Sequence, residues 1–152
     1  MIENSEKSEQ DIKDLNAQLI EAVRCGDIAR IESTIKNGAD INTRCSHGST
    51  VLMHSVHLDF DHRTVEESVN LVKKLVDLGI DKSLTDTNNN TATDMAIHLG
   101  QCACSNNNSD LHNHCDEESR YTTPEACDGY RQIISLLSGK EAYISADGEV
   151  AL

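Results

Sequence analysis

Aromatic side chains are nearly absent from this chain: it has no Trp, one Phe and three Tyr, 3% of its residues. A core organised around large rings is therefore excluded, and Leu, Ile, Val and Ala must fill the interior. Small aliphatic side chains suit thin, repeated helix layers. Proline occurs once, at Pro124, outside the periodic segments. Basic residues are few, 13 Lys and Arg against 26 Asp and Glu. The resulting formal net charge of −13 argues against binding a phosphate backbone or an anionic membrane. It favours solubility and a basic protein partner, with a solvated acidic surface as the plainer reading. Long apolar runs are missing too. Met1 to Lys7 lacks the apolar stretch of a secretory signal, and no segment approaches the roughly 20 apolar residues of a membrane span. The expected compartment is the cytoplasm, with export by a route that leaves no signal still open. Six cysteines stand at irregular positions, so free thiols in a reducing compartment are expected.

What the chain does have is helical periodicity. Residues 1–13 are polar and aperiodic and read as a disordered acidic leader. Asp14 or Asn16 can then cap a helix on which Leu15, Leu19, Ala22 and Val23 share one face. Gly26 ends it in the left-handed conformation. Asp27 can cap a second helix, with Ile28, Ile31 and Ile35 inward, closed by Gly38. The phrase Asn37-Gly38-Ala39-Asp40-Ile41-Asn42 recurs in degraded form at Leu78-Gly79-Ile80-Asp81-Lys82-Ser83. One repeat unit cannot bury its own apolar face, so the copies must stack.

Leu19 to Asp27 and Gly38 to Asn42 resemble an ankyrin repeat. Gly48-Ser49-Thr50-Val51-Leu52-Met53-His54-Ser55-Val56 is similar to that family's Gly-x-Thr-Pro-Leu-His-x-Ala-Ala, with Val51 in the Pro place and Met53 in the His place. Asn89-Asn90-Thr91-Ala92-Thr93-Asp94-Met95-Ala96-Ile97 is a third start, with Asn89 for Gly and Thr93 for Leu. The second helices read Val69, Val72, Leu75, Val76, Leu78 before Gly79, and Tyr130, Ile133, Ile134, Leu136, Leu137 before Gly139. The resemblance implies an all-α solenoid of about three helix-turn-helix repeats, over 14–139, with short β-like fingers. Thr50 and Thr91 stand 41 residues apart; the usual period is about 33. An insertion is therefore placed at about 58–67, and a longer, disordered one at about 101–128. Residues 140–152 form a polar tail.

Candidate chemistry is thin. Cys102, Cys104, His112, His114 and Cys115 are ligand types that zinc prefers, but paired Cys of a zinc knuckle are usually separated by two residues and here by one. Incidental Cys and His in a polar loop are the plainer reading, and a disulfide is the third. Asp59, Asp61, Glu66 and Glu67 lack the ligand spacing and turn Gly of a calcium loop. His54, His57, His62 and His98 lie among no nucleophile motif, phosphate loop or paired carboxylates, so no enzymatic activity and no cofactor are expected. What the resemblance implies instead is a protein partner, bound by a monomer through fingers and a concave helix face. Residue by residue, that surface is Ser46, His47 and Ser49, then Thr87, Asn88 and Asn90, with Arg24, Cys25, His57, Leu58, His98 and Leu99 on the first helices. A metal-stabilised module and an acidic mimic of nucleic acid are the alternatives.

Replacing Leu52 with Asp would bury an unpaired charge between helices at a cost of several kcal/mol. The expected outcome is loss of a cooperative melt by circular dichroism; a wild-type melt of that variant would contradict the core assignment.

Overall fold

The computed structural model describes residues 7–57, 63–104, 124–140, 143–144 and 150–151. Its elements are α1 (Glu9–Cys25), α2 (Ile28–Lys36), α3 (Val51–Val56), α4 (Val65–Asp77), α5 (Ala92–Cys104), α6 (Pro124–Ser138) and the short strands β1 (Tyr143–Ile144) and β2 (Val150–Ala151). The chain is mostly helical. Helices pair in order, α1 with α2, α3 with α4 and α5 with α6. The pairs then lie side by side, α1 on α3, α3 on α5 and α4 on α6.

Local chemistry sets each start. Ser8 caps α1 through a reciprocal pair with Asp11, whose carboxyl is held below its ordinary value by the Ser8 hydroxyl and backbone N–H. Thr64 and Glu67 repeat that device on α4, and Thr91 and Asp94 on α5. Asp27 caps α2 as expected, its carboxylate accepting from Arg30 N–H at 3.0 Å. Thr50 caps α3, and buried Met53 closes the pair, its Sδ accepting from Thr50 N–H at 3.4 Å. Gly26, at φ 72°, is the left-handed stop of α1.

Several boundaries differ from the sequence reading. The leader ends early: α1 begins at Glu9, because Ser8 rather than Asp14 or Asn16 is the cap, and residues 1–6 lie outside the described part. The first insertion is shorter than 58–67. Glu66 and Glu67 belong to the first turn of α4, where negative charge meets the helix's positive end. The second is shorter than 101–128. Helix α5 runs on through Cys104, and Pro124 is the first residue of α6, a place where its missing N–H leaves no bond unmade. Leu78 is the C-cap of α4 and exposed, not inward. In the tail, Tyr143–Ile144 pairs antiparallel with Val150–Ala151, and β1 lies against α5 and α6. Cys25 and Cys45 are free thiols, but Cys127, buried on α6, is disulfide-bonded. The free-thiol expectation therefore fails at Cys127, where a disulfide is the third reading of the cysteine-bearing segment.

Buried residues form one continuous cluster from Leu19 on α1 to Leu137 on α6. Leu19, Leu52 and Leu75 are 0%, 1% and 0% exposed. Full burial of such side chains contributes about 1.5–3 kcal/mol each. The third pair departs from the others: α5 contributes only Ala92 and Ala96 to the fully buried set near its start, and Thr93 is half-buried where α3 has Leu52. Tyr130, Ile133, Ile134 and Leu137 of α6 supply the missing volume.

One polar clamp joins the pairs. Arg63, just before α4, donates to Val23 O at 3.3 Å and His57 O at 3.0 Å. These carbonyls stand at the C-terminal ends of α1 and α3, where helices leave acceptors unmade. A Cβ on Gly26 would come within 2.5 Å of Arg63 Cδ, so this glycine also makes room for the clamp. Arg63→Met keeps the stem and removes both bonds. The expected loss is about 1–3 kcal/mol, read as a lower urea midpoint with an unchanged slope; an unaltered midpoint would mean that the clamp contributes no net stability.

Candidate functional site

Two hairpin fingers follow α2 and α4 in the same register. Arg44 bridges Thr50 in the first, and Thr85 bridges Thr91 in the second, 41 residues on. Each finger opens on an aspartate that ties its own turn. Asp40 Oδ1 accepts from Asn42 N–H at 2.9 Å, and Asp81 Oδ1 from Ser83 N–H at 2.9 Å and Ser83 Oγ at 2.6 Å. The same aspartates tie each finger to a segment before it. Asp40 N–H donates to Asn16 Oδ1 at 2.8 Å, and Asp81 N–H to Asn42 Oδ1 at 2.9 Å.

At the tips, the first finger turns through Gly48 (φ 84°) and the second through Asn89 (φ 62°), so Asn does take the glycine place. Asp86 organises the second tip, accepting from Asn88 N–H at 2.7 Å and Asn90 N–H at 3.0 Å. The bond from Asn90 leads in holding its carboxyl below the ordinary value. Asp81 is held low in the same sense by the Ser83 hydroxyl. The fingers also touch. Arg44 donates to Gly48 O at 3.0 Å and to Thr85 O across the gap. A Cβ on Gly48 would meet Thr87 Cγ2 at 2.6 Å, so only glycine allows this approach.

The predicted residues fall on this frame as follows. Ser46, His47, Thr87, Asn88 and Asn90 are exposed at the tips, and Ser49 is half-buried. Arg24 and Cys25, at the end of α1, are exposed; Arg24 pairs with Glu21 at 3.6 Å, and the Cys25 thiol donates to Glu21 Oε1 at 3.8 Å. His57 is half-buried as the C-cap of α3, and His98 is exposed on α5. Leu99 packs partly against the core, which leaves less of it for a partner. Leu58 lies outside the described residues, as do His112, His114, Cys115 and the side chains of Cys102 and Cys104. Among the described residues, no group of three or more His, Cys, Asp or Glu could hold a metal ion, and no helix is long and apolar enough to cross a membrane.

Sequence reasoning left Arg44, Arg63 and His54 out of the surface. The shared finger register was the signal for Arg44, which stands where the second finger has Thr85. Nothing in the spacing marked Arg63. His54 is half-buried on α3, and burial pushes its imidazole below the ordinary 6.5, with charge from His57, Arg24 and His47 acting in the same direction. A groove of about 370 Å³ lined by Asn90, Asp94, Met95 and His98 adjoins the second finger on α5.

Folded His54 holds its proton less tightly than unfolded His54, so its contribution to stability is present above pH 6.5 and is lost as pH falls below it. The lowered carboxylates of Asp11, Asp81 and Asp86 titrate below their ordinary 3.8 and do not enter this window. Thermal melts should therefore fall in midpoint between about pH 7.5 and pH 5.5, with a shallower fall in His54→Gln; identical slopes would remove His54 as the cause. No protein-family model matches the chain, and no curated protein is significantly similar to it.

Proposed function

We propose that the chain is a short ankyrin-type stack that binds a protein partner through its two finger tips and the adjoining face of α1, α3 and α5. One observation carries the reading: exposed, chemically varied tips stand on fingers whose own polar groups are already spent inside the fold. Asp40, Asp81 and Asp86 tie the turns. Asn16 and Asn42 pin each finger to the repeat before it. Arg44 links one finger to the next. Surfaces held this way lose little conformational entropy on binding, so contact energy appears as affinity. His47, Thr87 and Asn88 can then donate and accept without rearrangement. The repeated register, carried by Thr50 and Thr91, supports the family resemblance on the same grounds.

Capture with the wild type and with a His47→Ala/Asn88→Ala variant tests the reading. Both substitutions are at exposed positions and leave the turn bonds of Asp86 to backbone N–H groups in place. The expected outcome is loss of the specifically captured proteins by the double variant, with an unchanged melt. Unchanged capture would remove the fingers from the binding surface.

A further inference from the structure

We propose that Asn37 is a deamidation site that the folded α2 holds closed, so that its conversion records opening of the first helical pair. The proposal stands apart from the protein-binding reading, since it holds whatever the fingers bind.

The reactive pair occurs once in the chain: Asn precedes Gly only at Asn37-Gly38. Helices α2, α4 and α6 each lead into a glycine of positive φ, at Gly38, Gly79 and Gly139. The residues before these glycines are Asn37, Leu78 and Ser138, and among them only Asn37 carries a side-chain amide. Asn37 is exposed, so water reaches it. A glycine after it puts no Cβ in the way of the attacking backbone nitrogen.

The chemistry exchanges one amide for another within the chain. The Gly38 nitrogen loses its proton and bonds to Asn37 Cγ, while the Cγ–Nδ2 bond breaks and ammonia leaves with a proton from water. Water then opens the cyclic imide at either carbonyl, which gives Asp or an isoaspartyl linkage. No oxidant or cofactor is required.

The fold opposes the first step twice over. Gly38 N–H donates to Ile35 O at 2.9 Å, so its proton is held in the last turn of α2. Asn37 stands at φ −79° and ψ 0°. At that ψ the Gly38 nitrogen eclipses the Asn37 nitrogen instead of lying beside its Cβ, and the ring cannot close. Bonds on both sides resist the rotation that would close it. Asn37 N–H donates to Ser33 O at 2.9 Å, and Ala39 N–H to Thr34 O at 3.1 Å. Ala39 is buried, and Asp40 N–H is tied to Asn16 Oδ1 on α1 at 2.8 Å. Turning Asn37 therefore undoes the end of α2 and its tie to α1. Conversion runs at the rate of the unfolded chain multiplied by the fraction of time that this joint is open. The product also alters the joint. An isoaspartyl linkage adds a methylene to the main chain just before the first finger, and either product places a carboxylate at the negative end of α2.

The full chain is incubated at mildly alkaline pH, folded and in denaturing urea. The peptide carrying residue 37 is followed by mass and by chromatography, which separates the Asp and isoaspartyl forms. The expected result is conversion at least about tenfold slower in the folded chain. Asp27→Ala removes the cap of α2 at the other end of the helix from the reaction. It should speed conversion in the folded chain about fivefold and leave the rate in urea unchanged. Asn16→Ala, which removes the tie to Asp40, should act in the same direction, and circular dichroism checks that both variants are folded. Equal rates for the folded and unfolded wild type, no conversion in urea, or wild-type rates in both folded variants would overturn the proposal.

Discussion

No helical pair in this chain can cover its own apolar face, and the rest of the structure follows from that constraint. Helix α3 has only six residues, yet Val51, Leu52, Met53 and Val56 are all buried. So short a helix is marginal alone. It persists because α1 presents Leu19 and Val23 on one side while α4 and α5 close on it from others. The interior is a seam shared by neighbours. Loss of one shared layer therefore weakens both flanking pairs. Weak aliphatic supply at one place must be met nearby, as α6 meets the deficit left by Ala92, Thr93 and Ala96 on α5.

Polar chemistry then fixes what packing leaves free. A seam of aliphatic side chains resists separation but sets sliding and rotation poorly. The fingers remove that freedom. Asn16 and Asn42 make the same bond to successive fingers, and Arg44 carries a third link from finger to finger. Arg63 acts at the other end of the first helices, joining the C-terminal carbonyls of α1 and α3. The bonds that fix the spacing of the helical pairs are those that hold the exposed tips in place. Lys74 and Glu32 add a link between α4 and α2, but it is solvent-facing and contributes little beyond register.

Much of this was legible in the chain, and the reason is that turn chemistry is local. Gly26, Asp27, Thr50, Asn89 and Thr91 act through bonds to residues within a few positions, so each announces its role by type and place. The core positions Leu19, Leu52 and Leu75 were legible because burial in a helix imposes a period. The helix starts were missed where a weaker rule competed. Ser8 lies in a polar stretch with no periodicity, and its cap is recognised only through Asp11 three residues on. Pro124 reads as a breaker until it is seen as a first residue. The clamp at Arg63 was invisible because its partners are carbonyls of Val23 and His57, and backbone groups leave no mark in a sequence. Of the surface, exposure at the tips was legible; the half-burial of His54 and the packing of Leu99 depend on how the first helices lie together.

Net charge illustrates the same limit and changes how the surface should be understood. A sum over 152 residues reports a long-range field, which acts on approach and is screened within about 10 Å at ordinary ionic strength. Contact is decided at shorter range, by the groups that face the partner and by what they lose on burial. Among the described carboxylates, Glu21 pairs with Arg24, and Glu67 and Asp94 are taken up in helix caps. The half-buried imidazole of His54 is destabilised as a cation, first by burial and then by neighbouring positive charge. Such a group resists charging, so near neutral pH it would meet a carboxylate less strongly than a permanent cation does, because a proton must first be taken up. A net charge therefore says little about the sign of any one part of the surface.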